Sequence, residues 1–482
     1  MNYGIIAKTI GYILIFEAVM FLPPIIVGAI YQESSAIYFV GMMVLTLLIG
    51  AVLSLGTKPA KKIRAKEAVV IVAGGWLAVA FFGALPFYLS GAIPSLMDAF
   101  FETVSGLTTT GATVIEDIES LDRTLLFWRS FTHWLGGMGI LVLALAVLPS
   151  LGLGSIRVFR AETPGPVSEK LAPKMRQTAV ILYTAYLGMT LLQTGLLLLG
   201  GLTLYEALVH TFGTVGTGGF SIYNDSIGAY SSGYVQWIIA VFMVAAGVNF
   251  SLYYAAYRKR PRELFGNEEL RFYLLIIGAS TLFVFFNIQN ATGLPLWTSL
   301  RHAFFQVSSI VTTTGYTTVD YELWPAFSQN VLFFLMFVGG CAGSTGGSMK
   351  VIRLLVMIRV VKHEVLRILH PRAVMPVRVQ KHTLDQEVMT SVVAFYMLYI
   401  LIISFGAVML SLEGLDLVSS ISTVAATLGN IGPGFGVVGP LQNYASFSDP
   451  AKGLLSLFML MGRLELFTVF ILMTPDFWSR KN

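Results

Sequence analysis

The chain has 482 residues, of which 55% are hydrophobic and only 12% are charged, and its mean hydropathy is +0.75. Soluble domains cannot hide that much apolar surface, so the composition excludes a soluble globular protein and indicates an integral membrane protein. The formal net charge of +5 is modest and, in such a protein, reports topology rather than nucleic-acid binding. The single cysteine, Cys341, excludes a disulfide framework and a cysteine-based metal site.

Two apolar runs open the chain, near residues 9–30 and 36–56, and each is long enough to span about 30 Å of hydrocarbon. No small-residue cleavage site follows the first run, so we interpret it as a retained transmembrane helix. The connector after the second run has five basic residues and no acidic one: Lys58, Lys61, Lys62, Arg64 and Lys66. Basic connectors stay in the cytoplasm, so this one predicts the orientation of the whole chain.

One motif then recurs along the chain. It has nearly the same sequence at Asp98–Gly111 (DAFFETVSGLTTTG) and at His302–Gly315 (HAFFQVSSIVTTTG), and weaker copies lie at Tyr205–Gly218 and Ser419–Gly432. Each copy is an apolar half-helix, too short to cross a bilayer, that ends in a hydroxyl-rich or glycine-rich run. At membrane depth this pattern predicts a re-entrant helix and a loop lining a water-filled path.

The four copies share one local order, in which a spanning helix precedes the half-helix and its loop and a second spanning helix follows. We therefore predict an all-α integral membrane fold of four tandem helix–pore-loop–helix units around one pseudo-fourfold pore, preceded by a two-helix segment. The predicted boundaries are 1–66 for the N-terminal segment, 67–177 for unit 1, 178–262 for unit 2, 263–387 for unit 3 and 388–482 for unit 4. The predicted spans are 68–90 and 124–149, 178–201 and 233–257, 271–290 and 327–361, and 388–412 and 451–474, which makes about ten transmembrane helices in all.

The distribution of charge assigns the two sides of the membrane. Basic residues fill the connectors between units, namely Arg157, Arg160, Lys170, Lys174, Arg176, Arg258, Lys259, Arg260, Arg262, Lys362, Arg367, Arg372, Arg378 and Lys381. Acidic residues follow the first and third motifs, namely Glu116, Asp117, Glu119, Asp122, Asp320 and Glu322. The motif loops are therefore expected to open outward. The acidic loops either concentrate cations at the mouth or are solvated loops without that role.

The motif ends have the composition of a cation filter. Backbone carbonyls replace the water shell of a monovalent cation without trapping it as a carboxylate does, and glycine permits the dihedral angles that turn successive carbonyls inward. We place four glycines at equivalent depth, Gly111, Gly218, Gly315 and Gly432, each preceded by one further filter residue, Thr110, Thr217, Thr314 and Ile431. Close packing of membrane helices through small residues is the alternative, and fourfold recurrence argues against it. The fourth copy lacks the paired threonines, so the ring is at best pseudo-fourfold.

On this four-unit plan and these motif strings, the chain resembles the potassium-translocating membrane subunit of bacterial Trk systems, within the Trk/Ktr/HKT superfamily, over essentially its whole length. The resemblance implies potassium uptake across the bacterial cytoplasmic membrane through a channel-like pore, with potassium bound by the backbone of the eight filter residues and no cofactor in this chain. In that superfamily a serine at the first filter glycine accompanies sodium permeation, and this chain has Gly111 there.

The same resemblance implies partners. It implies a homodimer and a separate, cytoplasmic, nucleotide-binding regulatory subunit of the TrkA type. The basic stretch from Arg353 to Lys381 is expected either to dock that subunit or to contact lipids of the inner leaflet.

A glycine-rich stretch interrupts the second helix of unit 3. Five glycines between Gly339 and Ser348 cannot hold a regular helix at low cost, and bare backbone is not tolerated in lipid, so the stretch should line the cavity beneath the filter. Close helix crossing is the alternative. The predicted gating loop, which the resemblance supports, comprises Gly339, Gly340, Gly343, Ser344, Thr345, Gly346 and Gly347. Lys350 either assists this gate or is the first lysine of the inner surface.

Arg463 lies inside the last span, where an unpaired guanidinium is expensive. An ion pair with Glu465 is disfavoured, because residues two apart point to different faces of a helix. We predict that Arg463 projects into the conduction path as an electrostatic barrier, which matches a basic residue in the equivalent helix of the superfamily.

The remaining polar residues have plainer interpretations. His133, His210 and His302 are far apart in the sequence and are interpreted as structural residues rather than metal ligands. Glu102 and Glu206 on the half-helices are expected to brace the filters, with a proton relay as the alternative. Glu17 has no partner identifiable from the sequence.

Two rival function classes fit less well. A membrane enzyme would need a nucleophile or a metal motif, and the chain has no His-Glu-x-x-His, no Gly-x-Ser-x-Gly and no paired intramembrane aspartates. An alternating-access secondary cation transporter is the stronger alternative, because it also has broken helices and repeats. Its repeats usually number two and often invert, whereas these four share one direction.

Overall fold

Four copies of one helical arrangement follow the N-terminal helices, and the computed structural model describes residues 1–56, 63–137, 139, 175–257, 264, 266–372, 376–380 and 382–479. Part of the predicted span 124–149 lies outside these residues. So do twelve of the predicted basic residues: Lys58, Lys61, Lys62, Arg157, Arg160, Lys170, Lys174, Arg258, Lys259, Arg260, Arg262 and Lys381.

The N-terminal segment contains three helices rather than the two predicted: α1 (Tyr3–Met20), α2 (Leu22–Tyr31) and α3 (Ala36–Leu55). The predicted span 9–30 divides at Phe21, because two prolines lie in the first turn of α2 and proline begins a helix more readily than it continues one. Together α1 and α2 still form one apolar stretch long enough to cross a membrane.

Each unit contributes a long helix, a half-helix and a second, less regular helix. Unit 1 contains α4 (Ala65–Leu89), α5 (Leu96–Leu107) and α6 (Arg123–Gly137); unit 2 contains α7 (Met175–Leu199), α8 (Leu204–Val215), α9 (Gly233–Ala246) and α10 (Phe250–Tyr257); unit 3 contains α11 (Glu268–Thr292), α12 (Leu296–Val311), α13 (Ala326–Leu335) and α14 (Val351–Leu369); unit 4 contains α15 (Gln386–Leu410), α16 (Leu417–Leu428), α17 (Asp449–Leu464), α18 (Leu466–Met473) and α19 (Pro475–Trp478). Strands β1 (Arg378–Val379) and β2 (His382–Thr383) pair antiparallel between units 3 and 4.

The half-helices α5, α8, α12 and α16 have 12, 12, 16 and 12 residues. At 1.5 Å per residue they are about 18 to 24 Å long, too short to cross the hydrocarbon. Three of them begin with a side-chain cap, in which Ser95, Thr203 or Asp416 accepts a hydrogen bond from a free N–H of the first turn. A single 3-10 turn follows the loop after each half-helix, at Ile118–Ser120, Ser226–Ala229, Tyr321–Leu323 and Gly436–Val438.

The second helices of units 2, 3 and 4 are broken. In unit 2, α9 and α10 meet at an angle of 94° instead of forming the predicted continuous span 233–257. In unit 3, the glycine-rich stretch separates α13 from α14, and in unit 4 Glu465, with φ 68°, separates α17 from α18. By length and composition, six described helical segments could cross a membrane, or seven if the bent pair counts as one span. Of the other three predicted spans, 124–149 lies partly outside the described residues, and 327–361 and 451–474 are broken.

The apolar core closes the four units into a ring. Every neighbouring pair of units shares a cluster of buried side chains, including the first and the last. The shared clusters include Trp128 with Phe212 between units 1 and 2, Ile239 with Phe305 between units 2 and 3, Val311 with Ile431 between units 3 and 4, and Val104 with Phe458 between units 4 and 1. The half-helices consequently converge on one centre.

Candidate functional site

The four loops after the half-helices adopt one backbone conformation. The first residue of each is left-handed, with φ of 56° at Thr109, 55° at Thr217, 58° at Thr313 and 53° at Asn430. Two residues later a glycine is left-handed again, with φ of 82° at Gly111, 81° at Gly219, 80° at Gly315 and 90° at Gly432. These four non-glycine residues, three threonines and one asparagine, carry backbone strain, which persists only where the surroundings enforce it.

The residue between the two left-handed positions is equivalent in all four loops. Its N–H donates to the carbonyl five residues earlier in the half-helix: Thr110 to Ser105 at 2.9 Å, Gly218 to Gly213 at 2.8 Å, Thr314 to Ser309 at 2.9 Å, and Ile431 to Ala426 at 2.8 Å. Thr110, Gly218, Thr314 and Ile431 therefore occupy one level, and Gly111, Gly219, Gly315 and Gly432 occupy the next.

This register corrects one residue assignment. The sequence placed Gly218 level with Gly111 and Thr217 level with Thr110, but Gly219 is the equivalent of Gly111, and Gly218 is the equivalent of Thr110. The error arose because the second motif ends in two glycines, and the string alone favoured the one that directly follows a threonine. The assignments of Thr110, Gly111, Thr314, Gly315, Ile431 and Gly432 to these two levels agree with the structure.

Backbone contacts between units form a closed cycle at these two levels. Each left-handed glycine lies against a backbone carbonyl of the next unit, that of the residue just before the left-handed glycine there. The approach is so close that a Cβ on the glycine would overlap the oxygen. The four contacts join Gly111 to the Gly218 oxygen, Gly219 to the Thr314 oxygen, Gly315 to the Ile431 oxygen, and Gly432 to the Thr110 oxygen. Four carbonyl groups and four glycines thus interlock around one centre, and any side chain on these glycines would break the cycle.

A cavity of about 250 Å³ opens on the outer side of this ring. All four left-handed glycines line it, together with polar residues of the following loops such as Thr113, Ser221 and Asn443. Of the six acidic residues predicted on the outer loops, Glu116 lines the cavity.

An ion pair braces the outer part of the first filter loop. The Glu102 carboxylate accepts from the Thr113 hydroxyl and the Val114 N–H, both at 2.9 Å, and from Arg129 Nε at 2.6 Å. Arg129 also donates to the Ser221 carbonyl at 2.8 Å, so this pair joins units 1 and 2. The bracing contacts expected for Glu102 are present, whereas sequence reasoning missed Arg129, because no local pattern links residues 27 positions apart.

Glu206 braces less of the filter than expected. Its carboxylate accepts from the N–H and hydroxyl of Thr203 at 2.9 and 2.7 Å, which is a capping box, and from the Tyr223 hydroxyl at 3.2 Å. Tyrosine hydroxyls, which the sequence did not single out, hold filter carbonyls instead: Tyr316 donates to Phe220 at 3.2 Å and Tyr444 to Gly432 at 2.7 Å.

The three histidines have separate surroundings. His210 contacts the Tyr230 hydroxyl at 2.9 Å, His302 contacts the Thr318 hydroxyl at 3.0 Å, and His133 lies between α5 and the second filter loop. Glu17 is fully buried on α1, and its carboxylate oxygens have no hydrogen-bond partner among the described residues.

The glycine-rich stretch between α13 and α14 lies against the inner ends of the half-helices. Gly347 N–H donates to the Thr313 hydroxyl at 2.6 Å, and the Thr345 hydroxyl lies 3.1 Å from the Val215 carbonyl. Gly346 approaches the Thr312 carbonyl and Gly347 approaches the Gly429 carbonyl so closely that a Cβ would overlap each oxygen. This stretch therefore touches units 2, 3 and 4 directly beneath the filter.

The N-terminal half of the same stretch, residues 339–344, is held by hydrogen bonds to its own backbone and to the neighbouring helices. Gly339 and Gly343 are left-handed, with φ of 77° and 74°. The Gly340 carbonyl accepts from Val351 N–H at 3.0 Å, the Gly343 carbonyl accepts from Phe250 N–H at 3.1 Å, and the Ser344 hydroxyl donates to the Cys341 carbonyl at 2.6 Å. The break between α9 and α10 thus receives the loop.

Arg463 reaches the same place from α17. Its guanidinium donates to the Thr345 carbonyl at 2.7 Å, to the Gly137 carbonyl at 2.7 Å, to the Gly136 carbonyl, and to the Thr109 hydroxyl at 3.3 Å. The guanidinium therefore joins the glycine-rich stretch to unit 1. Glu465 pairs with Arg353 at 2.5 Å.

Lys350 is a buried residue rather than an inner-surface lysine. Its side chain is only 2% exposed, its φ is 62°, and its ammonium donates to the Gly346 carbonyl. The alternative that Lys350 assists the gate stays a prediction.

The chain resembles known proteins over its full length. The family model described as TrkH, cation transport protein, matches residues 35–480. The Trk system potassium uptake protein TrkH of Halomonas elongata is 37% identical over 484 residues, covering 100% of both chains. The TrkH protein of Escherichia coli K12 is 36% identical over 488 residues, covering 99% of this chain and 100% of its own. The crystal structure of the potassium transporter TrkH from Vibrio parahaemolyticus superposes with a TM-score of 0.89 at 36% identity, covering 99% of this chain and 100% of that one.

Proposed function

Because the chain belongs to the TrkH family of cation transport proteins, we propose that it takes up potassium across the bacterial cytoplasmic membrane through a channel-like pore. The relatives are potassium uptake proteins by name, and the sequence of this chain aligns with them from end to end. The assigned activity is therefore transport, with potassium as the ion carried.

The closed cycle of glycine and carbonyl contacts is the observation that carries this proposal. The carbonyls of Thr110, Gly218, Thr314 and Ile431 form the central ring of the selectivity filter, and the left-handed glycines allow adjacent backbones to approach closely enough to present them. Carbonyl oxygens at this level replace the hydration shell of potassium. The half-helices end at this ring, and the partial negative charge of their C-termini stabilises the ion there.

Arg463 and the glycine-rich stretch form the gate in this proposal. The guanidinium bonds to Thr109, one residue inward of the carbonyl ring, so a positive charge lies where the ion must pass. The same guanidinium holds the Thr345 carbonyl, and Gly347 N–H holds the Thr313 hydroxyl. Conduction requires these hydrogen bonds to break and the stretch to leave the axis.

We also propose the two partners that the resemblance implies, a second copy of this chain and a nucleotide-binding subunit of the TrkA type. Helix α14 starts directly after the glycine-rich stretch and carries exposed basic side chains, including Lys362 and Arg367. A subunit that docks on α14 would pull on the gate without an intervening element.

The test is rubidium-86 uptake into proteoliposomes containing the purified chain, with potassium or sodium as competitor. We expect potassium to suppress uptake, sodium to spare it, and Gly315→Asp to abolish it, because a side chain at Gly315 overlaps the Ile431 carbonyl. Gly293→Asp is the matched control, since Gly293 is also left-handed but has no atom near its free face. Uptake that survives Gly315→Asp would contradict the proposed filter and favour an alternating-access transporter.

A further inference from the structure

The second filter loop differs from the others in having almost no side chains behind its carbonyls. In units 1 and 3, two threonine hydroxyls contact each other behind the ring, Thr108 with Thr110 and Thr312 with Thr314, both at 2.8 Å. The equivalent positions in unit 2 are Gly216 and Gly218. This loop therefore lacks the paired hydroxyls, and its own hydroxyl, that of Thr217, donates to the Gly216 carbonyl at 2.7 Å rather than supporting Gly218.

The backbone does not require glycine at Gly218. Its φ lies outside the left-handed region, unlike that of Gly219 next to it. Any L-residue could adopt this conformation, and the equivalent positions in the other units are threonine or isoleucine. Something other than backbone strain must therefore exclude a side chain here.

The imidazole of His133 occupies the space that a side chain on Gly218 would need. A Cβ on Gly218 would overlap three ring atoms of His133, namely Cγ, Nδ1 and Cδ2. His133 lies on α6 of unit 1, so unit 1 supplies the side chain that the second loop lacks at Gly218. Helix α6 fits closely against the same loop one turn further on, where a Cβ on Gly137 would lie 2.7 Å from the Gly216 Cα.

His133 is also fixed at both ring nitrogens. The N–H of Phe220 donates to Nε2 at 3.1 Å, so Nε2 carries no proton, and Nδ1 donates its proton to the Gly106 carbonyl at 2.7 Å. The ring stacks on Phe220 with centroids 4.2 Å apart and is fully buried. The imidazole thereby links the half-helix of unit 1 to the filter loop of unit 2 on both sides of Gly218 and Gly219.

We propose that His133 is a positioning residue of the selectivity filter: its imidazole takes the place of the missing side chain at Gly218 and holds the Gly218 carbonyl in the ring. This inference rests on the proposed function. Since the Gly218 oxygen lies against Gly111, a shift of this carbonyl disturbs two units at once. The expected consequence of losing His133 is reduced discrimination between potassium and sodium, rather than only reduced yield of folded protein.

A double-mutant cycle tests the proposal, with Gly218→Ala, His133→Ala and the double variant compared with the wild type. The measurement is the potassium-to-sodium competition ratio for rubidium-86 uptake, together with the size-exclusion profile of the purified protein. We expect Gly218→Ala alone to lower the ratio by about tenfold, and the added His133→Ala to restore most of it, because the new methyl group then enters the vacated space.

Two further variants separate positioning from general packing. His133→Gln retains one donor and one acceptor and should keep a higher competition ratio than His133→Ala. Gly219→Ala is the matched control, because its Cβ would meet the Thr314 carbonyl rather than His133, so adding His133→Ala should not rescue it.

The outcomes separate cleanly. Rescue of the competition ratio of Gly218→Ala by His133→Ala supports the proposal, whereas rescue confined to the recovery of monodisperse protein shows packing alone and overturns it. A double variant no better than Gly218→Ala, or a His133→Gln variant no better than His133→Ala, overturns it. If Gly315→Asp still abolishes uptake in that experiment, the proposed function stands and only the role of His133 fails.

Discussion

The filter loops and the gating stretch are both rich in glycine, yet they are held in different ways. The filter is a closed cycle in which each unit contacts the next through backbone, and tyrosine hydroxyls, the Glu102–Arg129 pair and His133 add bonds from behind. The glycine-rich stretch proposed as the gate also lies close to that cycle at Gly346 and Gly347, but its hydrogen bonds there are few and separate, to Thr313, Val215 and Arg463. Interlocked backbone keeps a site rigid, whereas a few separable bonds allow a segment to move.

The largest effect is expected from breaking the filter cycle itself. Gly111→Ala places a methyl group against the Gly218 carbonyl and also forces alanine into the left-handed region. We expect rubidium-86 uptake to fall by about tenfold or more, because the overlap with the carbonyl and the strained backbone of alanine both destabilise the native loop. Gly414→Ala, at a left-handed glycine with open space around it, controls for backbone strain alone. Equal losses in the two variants would contradict the importance of the interlock.

The second largest effect is expected from removing the buried Arg129 guanidinium, which should lower the stability of the protein. Arg129→Met leaves the Glu102 carboxylate buried without its charged partner, which costs about 3 to 5 kcal/mol. Thermal unfolding of the purified protein in detergent measures this as a lower Tm. The double variant Arg129→Met with Glu102→Gln should recover part of the loss, since it no longer buries an unpaired charge, and a double variant as unstable as Arg129→Met would argue against the pair.

Weakening the gate should raise activity instead of lowering it. Arg463→Ala removes the hydrogen bonds to Thr345, Gly136 and Gly137 and the positive charge beside Thr109. We expect rubidium-86 uptake to increase by about tenfold at unchanged potassium-to-sodium ratio. Arg463→Lys keeps the charge but cannot donate to several carbonyls at once, so its uptake should lie between those of Arg463→Ala and the wild type. Uptake that falls in Arg463→Ala would remove Arg463 from the gate.

The smallest effect is expected from removing one side-chain hydrogen bond of the glycine-rich stretch, that of the Thr345 hydroxyl. Thr345→Val removes the hydroxyl that contacts the Val215 and Ala246 carbonyls but leaves the backbone bond to Arg463 in place. One neutral hydrogen bond contributes about 1 kcal/mol, so uptake should rise by about fivefold. Thr292→Val, which removes a hydroxyl bonded within α11 far from the gate, should leave uptake unchanged. An increase in uptake as large as that of Arg463→Ala would mean that the Thr345 hydroxyl, rather than the Arg463 guanidinium, mainly holds the gate closed.

Features with a local signal could be predicted from the sequence. The four units, their half-helices and the interruption between Leu335 and Val351 all follow from hydropathy, repeat strings and glycine content. The levels of Thr314, Gly315, Ile431 and Gly432 followed from the alignment of the motif strings.

Features set by tertiary contacts could not be predicted. The register of the second loop could not be read from a string that ends in two glycines, and no local pattern indicates that His133 lies against Gly218. Arg129 meets Glu102 across a half-helix and a loop, and Arg353 meets Glu465 over 112 residues. The breaks at Gly247–Asn249 and at Glu465 were missed for the same reason, because hydropathy alone reads a bent helix as a straight one.

The contact between the first and fourth filter loops has a consequence for biosynthesis. Asn430 donates to the Thr110 hydroxyl across 320 residues, and Gly432 completes the cycle against the Thr110 carbonyl. Contacts of such sequence separation form late, because the intervening chain must first be made and threaded into the bilayer. The ring of four loops can therefore close only after the last unit has been synthesised.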